Sequence, residues 1–360
     1  MTDSPALDPV TWPLGRRCET IARVWALWYC GLQLTLLRER GEPALTEFKY
    51  RILYRHHRAH FLDGLRKLGI SRDLPPAVIA GRYHYLSNQV GGLGMEYVEE
   101  SPRKVWIRYL APSWGFPGAG LFAVPSRSAR AVFAGWHAHN GASLGCPRLG
   151  FVLTKLYQDG EPCDEGYFEE HDRDLAPEER IQYRPVTTSP DFDPARAPRL
   201  DPAAWPEERR HRANRNFALG YVEDGIRTCL EMLGVHVTAG LVAQALRAYA
   251  IQLFHELRET FGIGGAGARE LARLFAHLAE LAGEEVSWRE EGPARIVLGR
   301  APRMFATGEV PAAVHRALFA FPEMCARLHD PRVRVALTAL RAEGAPRDEW
   351  LVEDVPRRLF

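Results

Sequence analysis

The chain has no closely spaced cysteine pair. Its six cysteines, at 18, 30, 146, 163, 229 and 325, are too scattered for the CxxC spacing of zinc ribbons and dithiol redox sites. Such dispersed thiols fit a reducing compartment, where they stay free and mostly buried. Charge of one sign is missing as well. Lysine and arginine total 46 against 45 acidic residues, a net charge of +1, so there is no global basic surface for nucleic acid. The opening MTDSPALDPVTWPLG has neither a basic segment nor an apolar run, and no secretion signal is expected. The early apolar stretch 24–37 contains Gln33 and ends in Arg38-Glu39-Arg40, too short and too broken to span a bilayer. No P-loop, dinucleotide fingerprint or GxSxG elbow occurs. The glycine-rich run 262–267 follows a helical pattern, not a strand, and reads as a helix stop. These absences point to a soluble cytoplasmic protein with no nucleic-acid or membrane partner and no cofactor, and they leave open whether a metal binds at His56/His60 or His137/His139.

What the chain does contain is a repeat. Phe151 to Asp172 (FVLTKLYQDGEPCDEGYFEEHD) recurs as Val335 to Pro356 (VALTALRAEGAPRDEWLVEDVP) at a constant offset of 184. Leu153, Thr154, Leu156, Gly160, Pro162, Asp164, Glu165 and Glu169 match Leu337, Thr338, Leu340, Gly344, Pro346, Asp348, Glu349 and Glu353. At 360 residues the chain suits two domains of ordinary size. The expectation is a tandem duplication: a lead-in over 1–15, a first module over 16–184, a linker over 185–212, and a second, degenerate module over 213–360.

Periodicity fills in each module. Apolar residues at helical spacing predict helices over 16–40 and 44–68, broken by Gly41 and Pro43 and stopped at Gly69. A third helix over 77–90 ends at Gly91-Gly92. MEYVEESPRKVWIRYLAP alternates and reads as a hairpin, a helix covers 126–133, and the repeated segment forms a second hairpin turning at Asp159-Gly160. The second half predicts helices at 216–233, 239–261, 268–281 and 310–318 with two hairpins. Helices segregated ahead of antiparallel strands indicate an α+β fold.

The final hairpin of the first module, with Gly160-Glu161-Pro162-Cys163-Asp164 leading to Tyr167-Phe168, resembles that of the vinyl-reductase-like ligand-binding domains. It is also similar to the end of L-2-amino-thiazoline-4-carboxylic acid hydrolase-like proteins. The resemblance covers 90–172 and, more faintly, 285–354. A cysteine common in those families is replaced here by Ala111-Pro112-Ser113-Trp114. What the resemblance implies is a small-molecule pocket between helices and sheet.

Residues present in both halves are best explained as structure, so Asp164-Glu165 and Glu169-Glu170 read as turn caps and solvated edge-strand carboxylates. Asymmetric residues are the better site candidates. Trp136-His137-Ala138-His139-Asn140 faces Ala320-Phe321-Pro322-Glu323-Met324, which has neither histidine nor amide. On an extended segment His137 and His139 would point the same way. One would serve as general base, with Asn140 stabilising developing negative charge and His84 nearby. The alternative is a loop held by its own side chains. Tyr83, Asn88, Trp106, Trp114 and Trp136 are candidate walls, and Arg108 and Arg148 candidate carboxylate partners. His56 and His60 share a helix face with Asp63 one turn on, a spacing that suits zinc, although flanking arginines favour an exposed basic face.

The sequence thus favours an enzyme, with a hydrolase acting on a small planar or carboxylated molecule in the first module as the expectation. The alternative is a non-catalytic small-molecule sensor or binding protein. A scaffold is a third reading, to be recognised by exposed Trp25, Trp28 and Leu32. A homodimer is left open.

Overall fold

The computed structural model describes residues 10–113, 117–118, 120–292, 294–306 and 310–358. It is α+β and divides into two compact units. A central unit runs from Leu36 to Thr228, and a terminal unit joins the chain up to Thr35 with Cys229–Phe360.

Helix α1 (Leu14–Lys67) is interrupted at Gly41, whose φ of 79° is open to glycine but costly for other residues. Pro43 then starts the following helical segment, where its missing N–H is harmless. The central unit contains the second part of α1, then α2 (Pro76–Val90), β1 (Met95–Ser101) and β2 (Lys104–Leu110). It continues with α3 (Gly120–Ala123), α4 (Ser126–Trp136), α5 (Asn140–Leu144), β3 (Leu149–Lys155), β4 (Cys163–Glu170) and β5 (Ile181–Tyr183). Helix α6 (Glu207–Thr260), interrupted at Gly234 with a φ of 75°, closes it and leads into the terminal unit. There follow α7 (Ala268–Ala282), β6 (Glu285–Glu290), β7 (Arg295–Ala301), α8 (Ala312–Leu318), α9 (Ala320–His329), β8 (Val333–Ala339) and β9 (Asp348–Asp354). Helix α6 is long and apolar enough to cross a membrane by length and composition, with a window of mean hydropathy 1.4 that is 33% buried.

The central sheet has the order β1-β2-β4-β3-β5, antiparallel except for β5, which pairs parallel to β3. The terminal sheet has the order β6-β7-β9-β8 and is wholly antiparallel. In the central unit one sheet face, with Val105, Ile107, Phe151 and Phe168, packs on the helices. The other face, with Trp106, Val152 and Tyr167, is covered by Val186.

The partition differs from the one expected. Residues 14–35 group with the second half and 207–228 with the first, because their side chains pack there. Tyr249 donates a hydrogen bond to the Val24 carbonyl at 2.7 Å, and Asn214 Nδ2 to the Gly91 carbonyl at 2.7 Å. Nor is 185–206 a free tether. Ser189 donates to Glu165 at 2.7 Å, Trp205 Nε1 donates to the Lys67 carbonyl at 3.1 Å, and Ala197 and Trp205 are buried.

The repeated residues do the same local work in both units. Each second hairpin passes through a 3-10 turn ending at Gly160 (φ 89°) or Gly344 (φ 95°). Asp164 accepts the Tyr157 N–H and Asp348 the Arg341 N–H, both at 2.9 Å. Thr154 and Thr338 sit at register shifts in β3 and β8 and donate to the carbonyls of Glu165 and Glu349. These carboxylates are not solvated edge groups, however. β4 lies inside the sheet, Glu165 is fully buried, and burial pushes the Asp164 carboxyl up to about 7.

Candidate functional sites

His84, His137 and Asn140 do come together, in the buried heart of the central unit. α2 carries His84 onto the sheet, and the chain leaving α4 turns through a 3-10 step at His137–His139 into α5. That turn, in place of an extended segment, sends the two histidines of the pair to different neighbours. His137 packs on His84, Phe151 and Phe168, whereas His139 packs on Tyr50, Tyr54 and His57. The expected shared direction is therefore not found.

The buried groups form a directional chain. Asn140 Nδ2 donates to His84 Nε2 at 2.8 Å, which leaves the His84 proton on Nδ1. Nδ1 lies 3.3 Å from the Tyr109 hydroxyl, which in turn lies 2.9 Å from His137 Nε2. Burial is the main cause holding both imidazoles neutral: His84 titrates at about 3, and His137 well below the ordinary range, each lowered further by neighbouring histidines. His137 Nδ1 and Asn140 Oδ1 are buried without hydrogen-bond partners. Such orphans cost about 1–3 kcal/mol each. None of the three residues is more than 4% exposed, so the cluster is a filled core with no open face for a substrate.

The other candidate residues disperse around it. Tyr83 is buried edge-on to Phe61, and Trp136 stacks on Tyr83 and meets His56, His57 and His84. Asn88 donates back to the His84 carbonyl at 2.7 Å, a bond within its own helix. Trp106 and Arg108 sit on the opposite sheet face. Trp106 donates to Glu100, and Arg108 is held by Glu165, Glu96 and the Pro190 carbonyl, so neither is available to a ligand beside the histidines. Arg148 is exposed and pairs with Glu170 at 2.6 Å. Trp114 lies outside the described residues.

His56 is buried and His60 exposed on the same face of α1, but their carboxylate neighbour is Asp224 from α6. Asp63 instead pairs with Lys67 at 2.6 Å and with Arg66. Burial, then the charges of His60 and Arg55, hold His56 at about 3.

A ligand-sized cavity lies in the terminal unit, which holds none of the site residues expected from the sequence. It measures about 160 Å³, and its walls include Trp25, Trp28, Phe275, Phe319, Phe321 and Trp350. Trp25, Trp28 and Leu32 are thus buried, against the scaffold reading. Glu284, Arg300, His315 and Asp348 also line it. Arg300 pairs with Glu284 at 2.8 Å, opposes Asp348 across the β7–β9 ladder, and lies over the Trp350 ring. Burial raises the Glu284 carboxyl. Trp28 Nε1 and His315 Nε2 have no hydrogen-bond partner.

The two units explain each other here. Tyr109 opposes Asp164 as Arg300 opposes Asp348. His137 answers Phe321 at the repeat offset, and the ninth residue of the 15-residue helices is His84 in α2 and Ala276 in α7. Of the corresponding positions in the terminal unit, Phe321 and Arg300 line its cavity.

Comparison of the chain with protein-family models, curated proteins and solved structures gives no match.

Proposed function

We propose that the chain is a small-molecule binding protein whose ligand occupies the cavity of the terminal unit. The ligand is a single aromatic ring carrying a short hydrogen-bonding substituent. One observation carries this reading: an aromatic-walled cavity that also holds Glu284, Arg300, Asp348 and His315. Its size of about 160 Å³ is close to that of an apolar cavity of roughly 150 Å³ that takes up benzene. Apolar walls with a few grouped polar atoms are the usual chemistry of ligand pockets. Two carboxylates among those atoms favour a substituent that donates a hydrogen bond over one that is itself a carboxylate.

A duplicated module, one copy filled and one hollow, accounts for the repeat. The binding role also agrees with the resemblance to vinyl-reductase-like domains. A hydrolase built on His137, His139 and Asn140 has weaker support, because His137 is sealed in the core and His139 turns away from it.

The test is calorimetric titration and thermal shift with phenol, benzylamine, benzoate and cyclohexanol. Phenol or benzylamine should bind one per chain and benzoate at least tenfold more weakly. No binding by any of the four, or equal binding of benzoate, would remove the proposal.

A further inference from the structure

We propose that His56, His60 and Asp224 form a binding site for a divalent transition-metal ion of the zinc class in the central unit. The two histidines are one helical turn apart on α1, so their rings project from one face. Their centroids are 5.1 Å apart at 45°. Asp224 reaches the same point from α6, and one ligand atom from each of the three lies within 4.8 Å of the others. His56 Nδ1 is 3.3 Å from Asp224 Oδ2, about the edge of a tetrahedron around zinc with bonds of roughly 2.0–2.1 Å.

The arrangement is poorly explained as an ordinary hydrogen-bonded cluster. His56 is 6% exposed, and neither of its ring nitrogens makes a hydrogen bond, although a carboxylate oxygen stands at hydrogen-bonding distance. Two facing acceptors with no aligned proton between them suit a shared cation. Arg227 lies 3.6 Å from Asp224 Oδ1, the second oxygen of that carboxylate, and 3.9 Å from Glu223. It therefore orients the carboxylate and leaves Oδ2 to the ion, as outer partners of metal ligands do. The Tyr221 ring meets His56 edge-on at 4.3 Å and fixes its orientation. The basic groups nearby are Arg55, Arg227 and Lys67, and Lys67 is held by Asp63 at 2.6 Å. His60 is exposed, which gives an entry path and leaves room for water to complete the coordination. Two imidazoles and one carboxylate are a donor set that zinc and its borderline neighbours accept, whereas calcium and magnesium need oxygen ligands.

The experiment uses tag-free full-length protein stripped with a chelator and titrated with zinc chloride by calorimetry. Cobalt(II) serves as the coloured substitute. The expected result is one ion per chain at micromolar affinity or better, with the visible absorption of low-symmetry cobalt. His60→Ala, at an exposed position, and Asp224→Asn should keep the thermal transition of the stripped protein. Each should weaken zinc by more than the roughly 100-fold that an outer partner costs. Absence of zinc binding in the parent protein would overturn the proposal. So would unchanged affinity in both variants, which would place the ion elsewhere.

Discussion

The imidazole rings of His84 and His137 lie stacked, with centroids 4.1 Å apart and planes at 15°, and the Tyr109 hydroxyl meets a nitrogen of each. Two neutral rings bridged by one hydroxyl fill the space between helices and sheet in the central unit. The corresponding positions of the terminal unit carry Ala276, Phe321 and Arg300, and Phe321 and Arg300 there line a cavity.

Acid should unfold the central unit early. His56 and His84 titrate at about 3 and His57 at about 4 when folded, below the ordinary 6.5. A depressed folded pKa gives stability that is present above the unfolded value and lost as pH falls through the folded one. Each unit of difference is about 1.4 kcal/mol. Asp164, raised to about 7 mainly by burial, works the other way, as does the raised Asp224. With His137 the histidines outnumber them, so urea midpoints should drop steadily from pH 6.5 to 4. A flat profile would show the imidazoles already charged in the fold.

Tyr109→Phe should leave the two imidazole nitrogens without their shared hydroxyl. The expected loss is about 1–3 kcal/mol in urea denaturation, with an unchanged circular dichroism spectrum. A neutral substitution would mean that the hydroxyl bridges nothing in solution.

His84→Ala should open a cavity in the core of the central unit, where His84 is 3% exposed. A loss of about 2–5 kcal/mol is expected for a large-to-small change in a core. Free imidazole, added at millimolar concentration, should raise the melting temperature of this variant and leave the parent unaffected. Failure of that rescue would indicate that the neighbours collapse into the space.

Much of the local fold was legible because glycine and proline mark it: the break at Gly41, the stop at Gly69 and both pairs of hairpins fall where the pattern put them. Long-range choices were not legible. β5 has only three residues and gains its place by pairing with a distant strand. The grouping of 14–35 with the second half depends on tertiary packing that no local pattern records. For the candidate sites, the sequence named His84, His137 and Asn140 but gave the wrong local geometry, since a 3-10 turn rotates His139 away. Asp224 carries no local signal beside His56, and Asp63, at the suggestive spacing, is taken by Lys67 and Arg66.

Filling the cavity should abolish binding without harming the fold. Ala279 lines it and is 3% exposed, and Ala279→Leu adds three carbons to that wall. A ligand at about 100 times its dissociation constant stabilises the parent by about 2.7 kcal/mol. The variant should show no such shift.

The most direct measurement is titration of phenol or benzylamine into the parent chain, Ala279→Leu and His137→Gln, side by side. The account predicts one site per chain in the parent and in His137→Gln, and at least tenfold weaker binding in Ala279→Leu. Binding retained by Ala279→Leu and lost in folded His137→Gln would contradict it and return the site to the histidine cluster.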